Sequence, residues 1–378
     1  MKKYLAALLA VSLCVMPVQG AVTGSPDVDA KAALLMEKET GEILFEYNAH
    51  DKLEPASVTK VMTLLLVMEA IDGGLLSKED TVQVSTRAAS MGGSQVYLKE
   101  GEVMSVHDLL KAVTVASGND ASVALAEHLA GSESAFVERM NQRAHELGMA
   151  DTTFLNCTGL PAPGHLTSAH DIALMSRELI LNHPSIREYT TIWMDSLREG
   201  AFQLANTNKL IRFYEGATGL KTGSTDAAGF CISATAERDG MELIAVILKS
   251  TTGDTRTATA KSMLDFGFAN YTVLEAKPSQ ALPPVEVLLG EQEYVQPVLS
   301  QGGRILVEKA QVNSVETSIS LCSNVEAPVE EGQKLGELTV TVEGQVKETI
   351  DIVSAQEVGR LTTFGIFRDL LQEFFMAK

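Results

Sequence analysis

The sequence predicts an α+β fold: one antiparallel sheet around a helix-rich middle, then a small all-β domain, then a terminal amphipathic helix. Three observations carry this. Strand-like runs lie on both sides of a stretch with helical patterning. Beyond Pro283-Pro284 the pattern changes to short alternating runs punctuated by glycine. The last twenty or so residues place Leu361, Phe364, Phe367, Leu371 and Phe374 at spacings of three and four.

In chain order, Ala32–Met36 and Gly41–Tyr47 read as strands joined by a Lys38-Glu39-Thr40-Gly41 turn. Val58–Ile71 reads as a helix, ended by Gly73-Gly74. Its apolar residues are nearly continuous, from Val61 and Met62 to Val67 and Met68, which predicts burial on most sides. Helical patterns recur at 106–116, 119–130 and 133–147, and Thr167-Ser168 with Asp171 opens another running to Leu181. Gly229–Ala236 and Met241–Lys249 are β-branched runs around an Arg238-Asp239-Gly240 turn, and a helix is expected over 257–268. From 285 to 352 the chain reads as short strands, acidic on their polar side. In the terminal helix Leu370 and Phe375 widen the apolar stripe, while Arg360, Arg368, Asp369, Gln372 and Glu373 take the other side. Such a helix suits the surface of a membrane; it could also pair two copies into a homodimer.

The domain plan is therefore a leader at 1–20, a first domain at 25–272, an all-β domain at 280–353 and the amphipathic helix at 358–378. The leader reads as a secretory signal peptide: Lys2 and Lys3, the apolar run Tyr4–Val15, Pro17, then small residues before Ala21. An uncleaved anchor is the rival reading. No other segment is apolar for the ~20 residues that a membrane span needs. With 378 residues, 45% of them hydrophobic, the chain can bury a large core without disulfide or metal support. A net charge of −19 and the lack of a basic run argue against a nucleic-acid partner. The histidines are scattered without a metal-binding pattern, so no metal or other cofactor is expected. Of the cysteines beyond the leader, Cys231 and Cys322 sit among apolar neighbours and are expected as buried free thiols; Cys157 stands apart from both.

Three short motifs carry the chemistry. Ser57-Val58-Thr59-Lys60, Ser117-Gly118-Asn119 and Lys221-Thr222-Gly223 each present a pattern (S-x-x-K, S-x-N, K-T-G) that occurs once in the chain. A serine hydroxyl is a weak nucleophile and needs a base within reach. Residues three apart share a helical face, so Lys60 can stand beside Ser57. A lysine acts as a base only with a lowered pKa, and burial and a second cation both lower it; Lys221 is a candidate second cation. Taken singly, Ser57 could be an ordinary helix cap, Ser117-Gly118-Asn119 a turn, and Lys221-Thr222-Gly223 an exposed strand. Their joint occurrence in this order is what argues for a site.

The chain resembles the serine-type D-alanyl-D-alanine carboxypeptidases, the low-molecular-mass penicillin-binding proteins. The resemblance covers nearly the whole chain. It includes Pro55–Lys60, Ser117–Ala121, Gly219–Ser224, Gly92-Gly93-Ser94, Thr158-Gly159-Leu160 and Arg256–Phe268. It implies a β-lactamase/transpeptidase-like first domain, with Ser57 as acylated nucleophile, Lys60 as its base and Ser117 as proton relay. Asn119, Lys221, Thr222, Gly223 and Ser224 would bind the substrate, and the N–H groups of Ser57 and Ser224 would form the oxyanion hole. Arg256, with Thr222, would hold the terminal carboxylate. Whether Lys60 or the Ser117–Lys221 pair is the working base stays open.

The implied partners are the peptidoglycan stem peptide and, as covalent inhibitors, β-lactams. The implied location is the outer face of the cytoplasmic membrane, held peripherally by the terminal helix. The chain departs from some such enzymes in having Thr158 and Ser224 where they carry histidine. Three rival functions share the motifs: an endopeptidase or transpeptidase on crosslinked peptides, a serine β-lactamase, and a non-catalytic wall-binding protein. A β-lactamase would need a deacylating glutamate between the second and third motifs, where Glu178 and Glu188 lie, but the appended β domain and the terminal helix speak against that reading. A Ser-His-Asp esterase is disfavoured because there is no G-x-S-x-G elbow.

Overall fold

A computed structural model describes residues 24–278, 280–300 and 303–362, together with Gly365 and Phe367. The chain opens with the hairpin β1 (Ala32–Glu37) and β2 (Ile43–Tyr47), and a tight 3-10 turn (Ala56–Thr59) then leads into α1 (Lys60–Asp72). The helical lobe follows: β3 (Thr81–Gln83), α2 (Thr86–Ala89), β4 (Val103–Ser105), α3 (Val106–Thr114), α4 (Asn119–Ala130), α5 (Glu133–Glu146), α6 (Ala169–Asn182) and α7 (Arg187–Thr190). A hairpin of β5 (Met194–Leu197) and β6 (Phe202–Ala205), then short α8 (Leu210–Phe213), returns the chain to the sheet. There it forms β7 (Ala217–Thr225), β8 (Gly229–Arg238) and β9 (Met241–Ser250), followed by α9 (Gly253–Asn270) and β10 (Tyr271–Glu275).

The main sheet is antiparallel throughout, in the order β2-β1-β9-β8-β7. Alternation along its strands splits the core into two layers. Leu34, Met36, Ile244, Val246 and Leu248 face the helical lobe, where they join α1 residues such as Val61, Leu65 and Met68. Ala33, Leu35, Leu243, Ala245 and Ile247 face the other way and pack with Ala260, Met263 and Leu264 of α9. As its continuous apolar sequence required, α1 is buried on nearly every side. Several helices start at hydroxyl caps: Ser105, Ser132, Ser168 and Thr252 each accept the backbone N–H three residues on, at 3.0–3.2 Å. Such a cap is worth about 1 kcal/mol. Thr252 starts α9 four residues earlier than the periodicity alone indicated, which places Arg256 in its first turn.

The second part is all-β, with β11 (Val285–Leu288), β12 (Tyr294–Val295), β13 (Pro297–Leu299), β14 (Arg304–Glu308), β15 (Val315–Leu321), β16 (Asn324–Glu326), β17 (Lys334–Val342) and β18 (Gln345–Ser354). The sheet β13-β18-β17-β15 packs its inner face around Leu338, Val340, Ile350 and Ile352. β10 pairs with β14, so the helix that closes the first part runs straight into the second.

Two expectations need correction. Cys322 is exposed, not buried. Alternation along β15 buries Val315, Thr317, Ile319 and Leu321 in part and turns the intervening residues outward, and Cys322 continues the outward set. The expected terminal helix does not begin at 358: Val358 pairs with Val329 and Arg360 with Gly290, in extended backbone tied to the β domain. Beyond Thr362 that helix, Gly365 and Phe367 aside, lies outside the described residues, as does the leader at 1–20. Among the described residues no helix is long and apolar enough to cross a membrane.

Candidate active site

The three motifs arrive from different parts of the chain. The 3-10 turn ahead of α1 carries Ser57, the α3–α4 connection carries Ser117, and edge strand β7 carries Lys221. Backbone strain marks the first two. Ala56, next to Ser57, has φ +47°, and Ser117 has φ +61°, both in the left-handed region that non-glycine residues rarely adopt. Such residues persist only where their surroundings hold them.

Close packing does this at Ser57. A Cβ on Gly159 (φ +83°) would lie 1.8 Å from the Ala56 carbonyl oxygen. One on Gly223 would lie 2.7 Å from the Ser57 nitrogen and 2.9 Å from that of Val58. Only glycine lets the Thr158-Gly159 loop and β7 close on the turn from two sides.

Lys60 is fully buried. Its Nζ lies 2.9 Å from Ser57 Oγ, 2.7 Å from Asn119 Oδ1 and 2.7 Å from the Thr158 carbonyl oxygen. Burial pulls its pKa down to about 7, against the opposing influence of Cys157 and Asp120. A neutral amine so placed donates to Asn119 and Thr158 and turns its lone pair to the Ser57 hydroxyl. The second-cation effect expected on Lys60 falls instead on Lys221. Burial, then the charges of Lys60 and Arg256, hold Lys221 well below the ordinary lysine value.

Asn119 is fixed at three points: its N–H donates to the Ser94 carbonyl, its Nδ2 to the Gly92 carbonyl, and its Oδ1 accepts from Lys60. Asp120 beside it accepts the N–H groups of Val96 and Leu98. So the Gly92–Leu98 loop and the α4 N-terminus form one braced wall. Ser117 Oγ is buried and has no hydrogen-bond partner among the described residues.

On β7, Lys221 Nζ donates to the Thr222 carbonyl at 2.8 Å, Thr222 Oγ1 lies 2.7 Å from Thr207 Oγ1, and Ser224 is exposed. Arg256 is 8% exposed, with Nη1 against the Cys231 carbonyl at 3.5 Å and Nε unpaired among the described residues. Cys231 pairs with Gly223 across the ladder, so the guanidinium reaches the sheet beside the third motif.

The structure thus gathers Ser57, Lys60, Asn119 and Gly223 in direct contact, with Lys221 and Arg256 close enough to perturb one another. The arrangement provides a hydroxyl, a base that is half neutral near pH 7, and a guanidinium for an anion. Glu178 and Glu188 have Arg143, Asn182 and Lys78 as partners, none of them a motif residue. The Thr158 carbonyl, Thr207 and His165 were not legible as site residues. The partners of Thr158 and His165 lie 98 and 106 positions away, the first acts through its backbone, and Thr207 reaches Thr222 from a segment with no motif of its own.

Comparisons with known proteins agree with this picture. The D-alanyl-D-alanine carboxypeptidase family profile matches residues 19–252, and that of the penicillin-binding protein 5 C-terminal domain matches residues 272–360. The chain is 42% identical over 335 residues to the D-alanyl-D-alanine carboxypeptidase DacF of Bacillus subtilis, spanning 87% of this chain and 86% of that one. It is 33% identical over 360 residues to DacC of Escherichia coli, covering 93% and 90%. Among solved structures, penicillin-binding protein 5 of Haemophilus influenzae superposes with TM-score 0.78 at 28% identity, covering 89% of this chain and all of that one. The ampicillin-bound form of penicillin-binding protein D2 of Listeria monocytogenes gives TM-score 0.59 at 35% identity, over 64% and 98%. With its three motifs on one site and both parts of the architecture matched, the chain belongs to the D-alanyl-D-alanine carboxypeptidase family.

Proposed function

We propose that the chain removes the terminal D-alanine from peptidoglycan stem pentapeptides through an acyl-enzyme on Ser57. Ser57 Oγ attacks the carbonyl of the D-Ala–D-Ala bond while its proton passes to Lys60 Nζ. The N–H groups of Ser57 and Ser224 receive the developing oxyanion. The C–N bond breaks, the amine takes a proton, and D-alanine departs. Ser117, whose buried Oγ has no hydrogen-bond partner among the described residues, relays that proton. Water then cleaves the ester and frees the shortened peptide. Edge strand β7, which among the described residues has a strand partner on one side only, suits an extended peptide added as a further strand, with Asn119, Lys221, Thr222 and Gly223 along it. Arg256 and Thr222 take the free carboxylate, for which a guanidinium is well matched. No cofactor enters these steps.

The observation that carries the reading is the buried Lys60 amine, 2.9 Å from Ser57 Oγ, with a pKa brought down to about 7. A general base is most effective when its pKa lies near the working pH. β-Lactams, which offer an acyl group of similar shape, acylate Ser57. The protein is exported by its leader and rests on the outer face of the cytoplasmic membrane through its terminal helix; the exposed Phe367 supports this. The test is peptide mapping after penicillin treatment. The adduct belongs on the peptide containing Ser57 and is absent from Ser57→Ala; an adduct elsewhere overturns the assignment.

A further inference from the structure

His165 lies behind the nucleophile turn and takes no part in the steps above. It is 3% exposed. Its Nε2 lies 2.8 Å from Oγ1 of Thr59, itself fully buried, and its Nδ1 accepts the backbone N–H of Leu155 at 3.0 Å. Because Nδ1 is an acceptor, the proton sits on Nε2, and the imidazole donates to the threonine hydroxyl. Phe154 packs edge-on against the ring, at 5.8 Å between centroids. Burial lowers the imidazole pKa to about 4, so it stays neutral over the range in which Lys60 titrates.

The backbone around His165 is fastened on both sides. Leu166 exchanges hydrogen bonds with Thr153, and Thr167 exchanges them with Leu53, shortly before Ser57. The imidazole therefore projects from a fixed platform onto a turn whose own conformation is strained at Ala56. Thr59 stands between Ser57 and Lys60. Holding its side chain resists rotation of the turn and keeps the Ser57–Lys60 pair in reach.

We infer that His165 is a positioning residue for the nucleophile: through its Nε2–H bond to Thr59 it fixes the turn on which Ser57 and Lys60 meet. This rests on the reading of Ser57 as nucleophile. A displacement of about 1 Å at a reacting group can cost on the order of 100-fold in rate. The role is accordingly expected in the acylation rate and only weakly in the affinity of the initial complex.

The test measures acylation of the full chain by a fluorescent penicillin, with rates normalised to folded protein. His165→Met removes both hydrogen bonds, and Thr59→Val removes only the acceptor while keeping the shape. Each should slow acylation by roughly 10–100-fold. The His165→Met/Thr59→Val double variant should be no slower than the worse single one, since both break the same link. His165→Gln, which can return an N–H to the Nε2 position, should recover to within about threefold of the parent, whereas His165→Asn, too short to reach Thr59, should not. Multiplicative losses in the double variant, or equal rates for the Gln, Asn and Met variants, would overturn the proposal. So would unchanged rates in Thr59→Val. Labelling that persists in Ser57→Ala would instead remove the reading on which the proposal depends.

Discussion

Replacing Lys60 by methionine should change how stability depends on pH, by an amount the structure sets. Lys60 titrates at about 7 when folded, against 10.5 as the ordinary value. Below the folded pKa both states carry the proton, and folding bears the full cost of burying the charge. Between the two pKa values the unfolded chain binds more protons, so stability rises with pH, and above the ordinary value the cost is gone. Each pKa unit corresponds to about 1.4 kcal/mol. The parent should therefore gain roughly 2–3 kcal/mol relative to Lys60→Met between about pH 6 and 9, nearly all of it above pH 7. Removing Lys60 also relieves Lys221, whose pKa it depresses, and this adds in the same direction. The assay is urea unfolding of both proteins at a series of pH values, which keeps the comparison to differences. Parallel curves, or a relative loss by the parent as pH rises, would refute the claim that Lys60 is held largely neutral.

Gly223→Ala would put a Cβ 2.7 Å from the Ser57 nitrogen, so strand and turn must part by several tenths of an ångström. Acylation by penicillin should fall by about 10–100-fold with a smaller effect on the melting temperature; a rate within twofold of the parent would contradict the packing argument. Arg256→Ala should lower kcat/KM for a peptide ending in a free carboxylate by about 10–100-fold and affect the same peptide as its C-terminal amide far less, measured by steady-state hydrolysis. Of the described cysteines, only exposed Cys322 should react with a thiol reagent in the native protein. Cys157 and Cys231, buried and with raised pKa values, should react only on unfolding, as followed by mass spectrometry of the labelled peptides.

The sheet, the buried α1 and the helical lobe were legible because apolar periodicity is a local signal, and the Thr167-Ser168 start with Asp171 sharpened it for one helix. The Ser57–Lys60 contact was legible because a spacing of three on a helical turn is itself geometry. The short β3–β4 and β5–β6 ribbons were not, because such brief strands are stabilised by distant packing more than by their own residues. Cys322 was misread because apolar neighbours at Leu321 and Val325 say nothing about which face of a strand a residue takes. Burial and a second cation are both expected to lower the Lys60 pKa, but the extent of burial, which no spacing reveals, makes desolvation the leading cause for Lys60 and Lys221 alike. His165 carries no motif at all: its link to Thr59 spans 106 positions and exists only once Thr153–Leu166 and Leu53–Thr167 have closed.

Release of D-alanine by Ser57, activated by Lys60, is tested with a stem pentapeptide ending in D-Ala-D-Ala, comparing the parent chain with Ser57→Ala. The parent should release D-alanine steadily and the variant none above background. Release that survives in Ser57→Ala would contradict the nucleophile, and no release from the folded parent would contradict the proposed substrate.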